Sequence, residues 1–279
     1  IRKLGILIGY LPYSFGTTAF KWGYNNPAQN FAWINFYPTQ SHRQDARRLT
    51  SVGDKNVRVV GYPNPKDSMR KTPDFKQHWK LGDPALKRVI WATHYSVLPQ
   101  SALLFSTFLE LCDTMPALAK KYAGKIQFAF KPHPLLEEKL HKIWGVQRTQ
   151  AYYRQWEEMP NTCLVTDSYQ ELFNTSDALV HDCGSFTIEY LYENKPVMYL
   201  TRKDRASIET PLGQMAIEAH YPGRSQQDIE RFLEMVIAAQ DPMRAQRDAF
   251  CAQYLNVTRG HSVGENMMRV IEQELGWKA

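Results

Sequence analysis

Short apolar runs alternate with amphipathic stretches along most of the chain. Apolar runs of about four to eight residues bounded by turn residues are typical of strands buried on both faces, and the stretches between them have helical periodicity. The alternation predicts an α/β fold with parallel sheets. The predicted strands cover residues 4–10, 33–37, 56–60, 88–92, 126–130, 163–165, 178–181 and 196–200, and the predicted helices cover 41–48 (capped by Ser41), 101–122, 137–144, 150–157, 168–175, 186–192, 226–239, 242–254 and 264–275.

A polar, charged segment at residues 66–84 interrupts this pattern and predicts a linker. We therefore expect an N-terminal domain over residues 1–84 and a C-terminal nucleotide-binding domain over 85–279, with the helix at 264–275 able to pack back on the first domain. The chain begins on Ile1 and enters a strand-like run at once. We expect that residues precede it, and that the first domain is incomplete.

Charge is distributed unevenly between these two parts. Residues 1–84 contain 13 Lys and Arg against 5 Asp and Glu, a net charge of +8, whereas residues 85–279 contain 21 against 23, a net charge of −2. A basic surface attracts anionic lipid headgroups or an anionic polymer. The alternative is a solvated basic face without a partner. No helix-turn-helix, zinc or RNA-recognition signature is present, so nucleic acid is not an expected partner.

Three predicted strands end in polar turns that contain histidine. The first continues into Thr93-His94-Tyr95-Ser96, the second into Lys131-Pro132-His133-Pro134, and the third into His181-Asp182-Cys183-Gly184-Ser185. Ligands of open parallel sheets bind beyond the carboxyl ends of the strands. We therefore expect the three turns to converge on one site.

The second and third turns have chemistry suited to phosphate. A protonated His133, held between two prolines, would neutralise charge on a leaving phosphate, with Lys131 as a second cation. Gly184 permits a tight strand-to-helix turn, and the hydroxyls of Ser185 and Thr187 would lie where a helix start has unpaired amides. Each feature also has a plain structural explanation: proline shapes turns, and Ser185 could be an ordinary N-cap.

The other two strand-end histidines also have a functional and a structural interpretation. His94 is either a phosphate contact or a plain loop residue. His181 lies inside a predicted strand, which favours a buried core histidine.

The segment from Thr175 to Tyr199, TSDALVHDCGSFTIEYLYENKPVMY, resembles the signature of the CDP-glycerol glycerophosphotransferases, which build teichoic-acid and related capsule polymers. Residues 131–134 match that family's His-Pro turn, residues 61–67 its G-Y-P turn, and residues 260–262 its late glycine-serine turn. The resemblance implies a GT-B fold of two Rossmann-like domains. It also implies donor-binding roles for Lys131, His133, Gly184, Ser185, Thr187, Glu189 (near the ribose) and Ser262.

Two positions depart from the family pattern. Cys183-Gly184-Ser185 stands where the family usually has Tyr-Ser-Ser, and the family's catalytic His-Gly turn has no counterpart after residues 4–10. In the first 84 residues the histidines are His42 and His78. The general base could therefore lie upstream, or be His94 in the second domain, or the donor could differ.

The function expected from the resemblance is transfer of glycerol phosphate, or a similar polyol phosphate, from a CDP-activated donor. The acceptor would be a hydroxyl of a cell-surface polymer or of its lipid-linked precursor. His133 and His94 are the expected catalytic residues, and we expect no cofactor and no metal because the chain lacks a D-x-D pair. We expect a cytoplasmic enzyme, peripheral on the inner face of the membrane. The alternatives are a GT-B glycosyltransferase, an enzyme similar to UDP-sugar 2-epimerases, or a catalytically silent module that binds anionic polymer.

Overall fold

The computed structural model describes residues 5–63, 78–101, 103–167, 169–202, 208–256 and 260–277. The strands in chain order are β1 (Gly9–Tyr10), β2 (Ile34–Tyr37), β3 (Val57–Val59), β4 (Lys87–Thr93), β5 (Ile126–Pro132), β6 (Thr162–Leu164), β7 (Ala178–His181), β8 (Val197–Leu200) and β9 (Tyr221–Gly223). The helices are α1 (Lys21–Tyr24), α2 (Pro27–Phe31), α3 (Gln40–Leu49), α4 (Phe108–Leu111), α5 (Thr114–Lys121), α6 (Leu136–Trp144), α7 (Val146–Glu158), α8 (Gln170–Thr175), α9 (Phe186–Glu189, continued as a 3-10 turn over Tyr190–Glu193), α10 (Pro211–Glu218), α11 (Gln226–Ile237), α12 (Arg244–Phe250, continued as a π-turn over Cys251–Leu255) and α13 (Val263–Leu275).

The first compact unit contains Ile1–Asn64, Ser207–Ala216 and Asp248–Ala279. Its sheet has the order β1-β2-β3, and both strand pairs are parallel. Helix α13 packs on this sheet, because Val263 belongs to the same buried cluster as β2 residues Ile34 and Phe36. The C-terminal helix is therefore part of the core of the first unit.

Two local predictions for this unit are corrected. Helix α3 is capped by Thr39 and not by Ser41, since Thr39 has extended backbone and its hydroxyl accepts the His42 N–H. Of the strand expected over residues 4–10, residue 4 lies outside the described residues, and within 5–10 the strand is confined to Gly9–Tyr10, the two residues that pair with β2. The preceding apolar residues are exposed, with Ile6 at 53% and Leu7 at 52%.

The second compact unit contains Pro65–Ala206 and Ile217–Arg247. Its six strands are all parallel, in the order β6-β5-β4-β7-β8-β9. Renumbered within the unit, this is the order 3-2-1-4-5-6 of a doubly wound nucleotide-binding sheet. In such a sheet the strand order reverses between the first and fourth strands, here β4 and β7, and ligands bind at that switch point.

An aromatic core holds this sheet to the helices on one face. Trp91 on β4 stacks on Phe130 on β5 with ring centroids 4.8 Å apart, and Trp156 on α7 lies 5.1 Å from Phe130. All three rings are fully buried. Burial of this apolar area stabilises the unit.

The units differ from the predicted domains in extent. Residues 65–84 group with the second unit, and residues 207–216 and 248–279 group with the first. Most of the predicted linker lies outside the described residues. Its last part is packed on the second unit: Leu81 exchanges two hydrogen bonds with the Gln127 side chain, at 2.9 and 2.7 Å, and Trp79 is 4% exposed.

The long helix predicted over 101–122 is also different in the structure. Residues 103–107 are not helical, and the helical part is divided between α4 and α5. The reason is that both the N–H and the hydroxyl of Thr107 bond to Asp182, a contact unavailable to local pattern reasoning. Strand β9 and helix α10 were not predicted, and β9 contains Pro222 and Gly223, which is tolerated at a sheet edge. Within the described ranges, none of the helices is both long and apolar enough to cross a bilayer.

Candidate functional site

The switch point of the second sheet brings the three predicted turns together. Thr93 pairs with Pro132, and Ala92 pairs with His181, so the next residues, His94, His133 and Asp182, leave the sheet at one edge. The His133 N–H donates to the Thr93 carbonyl at 2.9 Å, which extends the ladder by one bond. The expected convergence of the first two turns is thus present in the fold.

The imidazoles of His94 and His133 lie close to each other. Their ring centroids are 5.5 Å apart, and the Tyr95 ring contacts both, at 4.3 Å from His94 and 4.6 Å from His133. Phe105 closes the other side of His94 in an edge contact at 5.0 Å. His94 is 8% exposed, whereas His133 is half-buried. The pair forms one aromatic cluster at the carboxyl edge of β4 and β5.

A local hydrogen bond recurs at all three strand-end histidines. Nδ1 of each ring accepts the backbone N–H of the residue two positions later: Ser96 for His94 at 3.2 Å, Leu135 for His133 at 3.1 Å, and Cys183 for His181 at 3.2 Å. An N–H bond accepted at Nδ1 favours, in the neutral ring, the tautomer that has its proton on Nε2. In that tautomer His94 and His133 are hydrogen-bond donors through Nε2.

Burial and a neighbouring ammonium group determine the charge of His133. Burial lowers its pKa to about 4, with a further contribution from Lys131. Lys131 is 5% exposed, and burial lowers the pKa of its ammonium group. A neutral His133 is thus favoured in the unliganded protein at neutral pH, and its protonation beside a leaving phosphate stays a prediction. Its neutral ring offers an N–H, and the positive charge at this edge belongs to Lys131.

Asp182 organises the edge and was not among the predicted site residues. Oδ1 of its fully buried carboxylate accepts the backbone N–H of His94 at 2.6 Å. Oδ2 accepts the backbone N–H and the hydroxyl of Thr107, at 2.6 and 2.9 Å. It thereby ties the β4 turn and the segment before α4 to the end of β7. The signal in the sequence was a carboxylate placed directly after a buried strand, within the same turn as Gly184.

The turn from β7 into α9 contains the predicted phosphate-cradle residues. Gly184 and Ser185 are half-buried, with Ser185 at the N-cap position. Thr187 is 1% exposed, and its hydroxyl donates to the Cys183 carbonyl at 3.1 Å. Glu189 is 2% exposed and accepts a 2.7 Å bond from the Tyr169 hydroxyl. Gly184 and Ser185 are thus the more accessible members of this set.

Ser262 belongs to the first unit, whereas the other predicted site residues belong to the second. It caps α13 in a reciprocal capping box: its hydroxyl accepts the Glu265 N–H at 3.2 Å, and Glu265 accepts the Ser262 N–H at 2.7 Å. This structural role accounts for a serine at that position.

The two histidines of the first 84 residues have both ring nitrogens engaged. His42 is 2% exposed and lies between the Thr39 hydroxyl at 2.8 Å and the Gly16 carbonyl at 2.9 Å. Burial lowers the pKa of His42 to about 4. The nitrogens of His78 contact Glu171 at 3.0 Å and Asp167 at 2.9 Å. These contacts give both rings structural roles.

Comparison with known families decides what kind of protein this is. The sequence profile of the CDP-glycerol:poly(glycerophosphate) glycerophosphotransferases matches residues 103–273, which is more than half of the chain and includes the turns at 131–134 and 181–185. The chain belongs to this family. It is therefore a transferase, and the resemblance noted from the 175–199 segment is confirmed.

Solved structures with similar folds come from two groups of enzymes. One is the wall teichoic acid polymerase TagF, with 14% identity over 94% of this chain and 68% of that chain and a TM-score of 0.58. A TagF variant soaked with CDPG matches with 15% identity over 88% of this chain and 60% of that chain, with a TM-score of 0.54. The S. aureus MnaA–UDP structure matches with 14% identity, 99% and 70% coverage and a TM-score of 0.58. These likenesses confirm the GT-B-type fold. A search of curated protein sequences finds no match.

Proposed function

We propose that the carboxyl edge of β4, β5 and β7 binds the diphosphate of a CDP-activated donor, and that the protein transfers glycerol phosphate from it to a polymer hydroxyl. The observation that carries the proposal is the convergence of His94, Lys131 and His133 at the switch point of a 3-2-1-4-5-6 sheet. Membership of the glycerophosphotransferase family and the TagF variant soaked with CDPG favour this donor.

In the proposed reaction, the oxygen of an acceptor hydroxyl attacks the phosphorus atom that bears glycerol. The bond from that phosphorus to the bridging oxygen breaks, CMP leaves with the electron pair, and a base takes the hydroxyl proton. Lys131 supplies a fixed positive charge close to the leaving phosphate, and His94 and His133 donate Nε2–H bonds to its oxygens. Donors held in place before the substrate arrives stabilise developing charge without reorganisation. The half-buried Gly184–Ser185 turn adds backbone N–H groups.

The proposed acceptor is a teichoic-acid-like polymer or its lipid-linked precursor, on the cytoplasmic side of a membrane. The basic first 84 residues support attraction to such an anionic surface. Part of this charge is compensated locally, because Arg43 and Arg47 share Asp54 at 2.8 and 3.0 Å, and Arg58 bonds to Glu274 at 2.7 Å. The proposal therefore depends on the remaining cations.

Thermal shift with CDP, UDP and GDP at equal concentrations tests the donor assignment. A ligand at 100 times its Kd stabilises the folded state by about 2.7 kcal/mol, which is a readily measured rise in Tm. We expect CDP to give the largest rise. A larger rise with UDP would favour a glycosyltransferase or epimerase-like activity, and no rise with any nucleotide would favour a silent polymer-binding module.

Matched lysine variants test the place of binding. Lys131→Gln should remove most of the CDP effect, because it deletes the positive charge at the sheet edge. Lys121→Gln is the control, since Lys121 is an exposed cation of the same unit that pairs with Glu230 at 3.0 Å on α11. Equal CDP responses of the two variants would refute the assignment. Release of CMP from CDP-glycerol in the presence of a glycerol-phosphate polymer would then test the transfer itself.

A further inference from the structure

Ser96 is a fully buried serine in the turn after β4, and its hydroxyl has three partners. Its Oγ accepts the N–H of Phe105 at 3.0 Å and that of Ser106 at 3.2 Å, and it lies 2.8 Å from Nδ1 of His94. A hydroxyl has two acceptor lone pairs and one proton. Because the two backbone N–H groups occupy the lone pairs, the proton is directed to His94.

Nδ1 of His94 therefore receives two donors. One is the Ser96 hydroxyl, and the other is the Ser96 backbone N–H at 3.2 Å. His133 and His181 have the equivalent backbone bond, from Leu135 and Cys183. The hydroxyl contact is the added feature at His94, and it links the ring to the segment before α4.

We infer that Ser96 is a positioning residue that fixes His94 as the Nε2–H tautomer and so makes it a hydrogen-bond donor to the substrate. A general base needs an unprotonated nitrogen directed at the reacting hydroxyl. His94 held by Ser96 presents N–H at Nε2, which suits a phosphate oxygen. The identity of the bonded group as phosphate rests on the proposed function, whereas the tautomer is a property of the protein alone.

The tautomer is measured directly by long-range ¹H–¹⁵N correlation of the histidine rings in the full, nucleotide-free chain, with the His94 signals assigned by a His94→Gln variant. We expect Nδ1 to have the shift of an unprotonated nitrogen and Nε2 that of a protonated one. The Nδ1–H tautomer in the wild-type chain would overturn the inference without any need for a Ser96 variant.

Two substitutions then isolate the hydroxyl. In Ser96→Ala, the His94 ring nitrogens should move towards the averaged shifts of a mixed-tautomer ring, while Ser96→Thr, which keeps the hydroxyl, should retain the wild-type pattern. An unchanged His94 pattern in Ser96→Ala would show that the backbone bond suffices and would overturn the role of Ser96. If Ser96→Ala does not fold, the His94 ring-nitrogen shifts of the wild-type chain and of Ser96→Thr test the inference, and both should be those of the Nε2–H tautomer.

Titration with CDP provides the functional readout. Ser96→Ala should bind CDP roughly three- to tenfold more weakly, the effect of one misaligned hydrogen bond, and Ser96→Thr should stay close to wild type. Ser176→Ala is the matched control, because it also removes a buried serine hydroxyl, 2.8 Å from the Tyr190 hydroxyl and outside the cluster. Equal losses in Ser176→Ala would refute positioning. If CDP does not bind to the wild-type chain, the proposed function fails while the tautomer result stands.

Discussion

Replacing His133 by asparagine separates the two hydrogen-bonding functions of its imidazole. Nδ1 accepts the Leu135 N–H at 3.1 Å and shapes the turn, while Nε2–H is the proposed donor to phosphate. An asparagine side-chain oxygen accepts the same bond from the residue two positions later, as in an Asx turn. His133→Asn therefore keeps the turn and removes the donor, which an alanine substitution would not do.

The magnitude follows from the bond that is lost. A hydrogen bond to a charged acceptor contributes about 1.5–3 kcal/mol, which corresponds to roughly ten- to a hundredfold in CDP affinity. The melting temperature should change little, because His133 is half-buried at the sheet edge and lies outside the aromatic core. Isothermal titration with CDP and a melting curve of the same sample give both quantities.

His181→Asn is the comparison variant. His181 is fully buried and makes the same bond to the residue two positions later, at 3.2 Å. The smaller side chain leaves a cavity, which should cost about 2–4 kcal/mol of stability and lower Tm by several degrees. Its CDP affinity below the melting range should equal that of wild type. Wild-type CDP affinity in His133→Asn would refute the reasoning and would move the phosphate role to His94 and Ser185.

Three further predictions concern stability and surface charge. Burial lowers the pKa of His42 and His133 to about 4, below the 6.5 of the unfolded chain. Because the unfolded state therefore takes up protons first, the urea midpoint of unfolding should fall as pH decreases from about 6.5 to 4. A midpoint that does not change over this pH range would contradict these shifts. Asp182→Ala removes the acceptor of three donors and should cost about 3–5 kcal/mol in chemical denaturation, and a loss below about 1 kcal/mol would be inconsistent with its role. The basic first 84 residues should bind anionic vesicles at low salt and release them as the Debye length falls to about 8 Å, whereas salt-independent binding would argue against an electrostatic contact.

Some helices and strands follow from the local sequence pattern, whereas others are determined by contacts with distant residues. The strand predicted at 178–181 corresponds to β7, because a run of apolar residues bounded by polar turns is a local signal. The segment 101–107 carries a similar apolar signal, yet residues 103–107 are not helical. There the backbone of Thr107 bonds to Asp182, 75 residues away in sequence, and this long-range contact outweighs helical propensity.

The residues of the candidate site show the same difference between local sequence pattern and long-range contact. The polar residues at the end of each strand are visible in the amino-acid sequence: a histidine after β4, a lysine and a histidine at the end of β5, and the Gly184–Ser185 turn after β7. Adjacent parallel strands place such turns at one edge, so the site was predictable once the sheet was.

The protonation states and hydrogen-bond partners of those residues depend on contacts with distant parts of the chain. The neutral His133 results from burial beside Lys131, and the His94 tautomer results from Ser96, whose hydroxyl is oriented by the Phe105 and Ser106 amides. The packing of α13 on the first sheet likewise depends on residues more than 200 positions apart. Periodicity records which residues face a core, whereas desolvation and hydrogen-bond partners depend on which distant segments meet there.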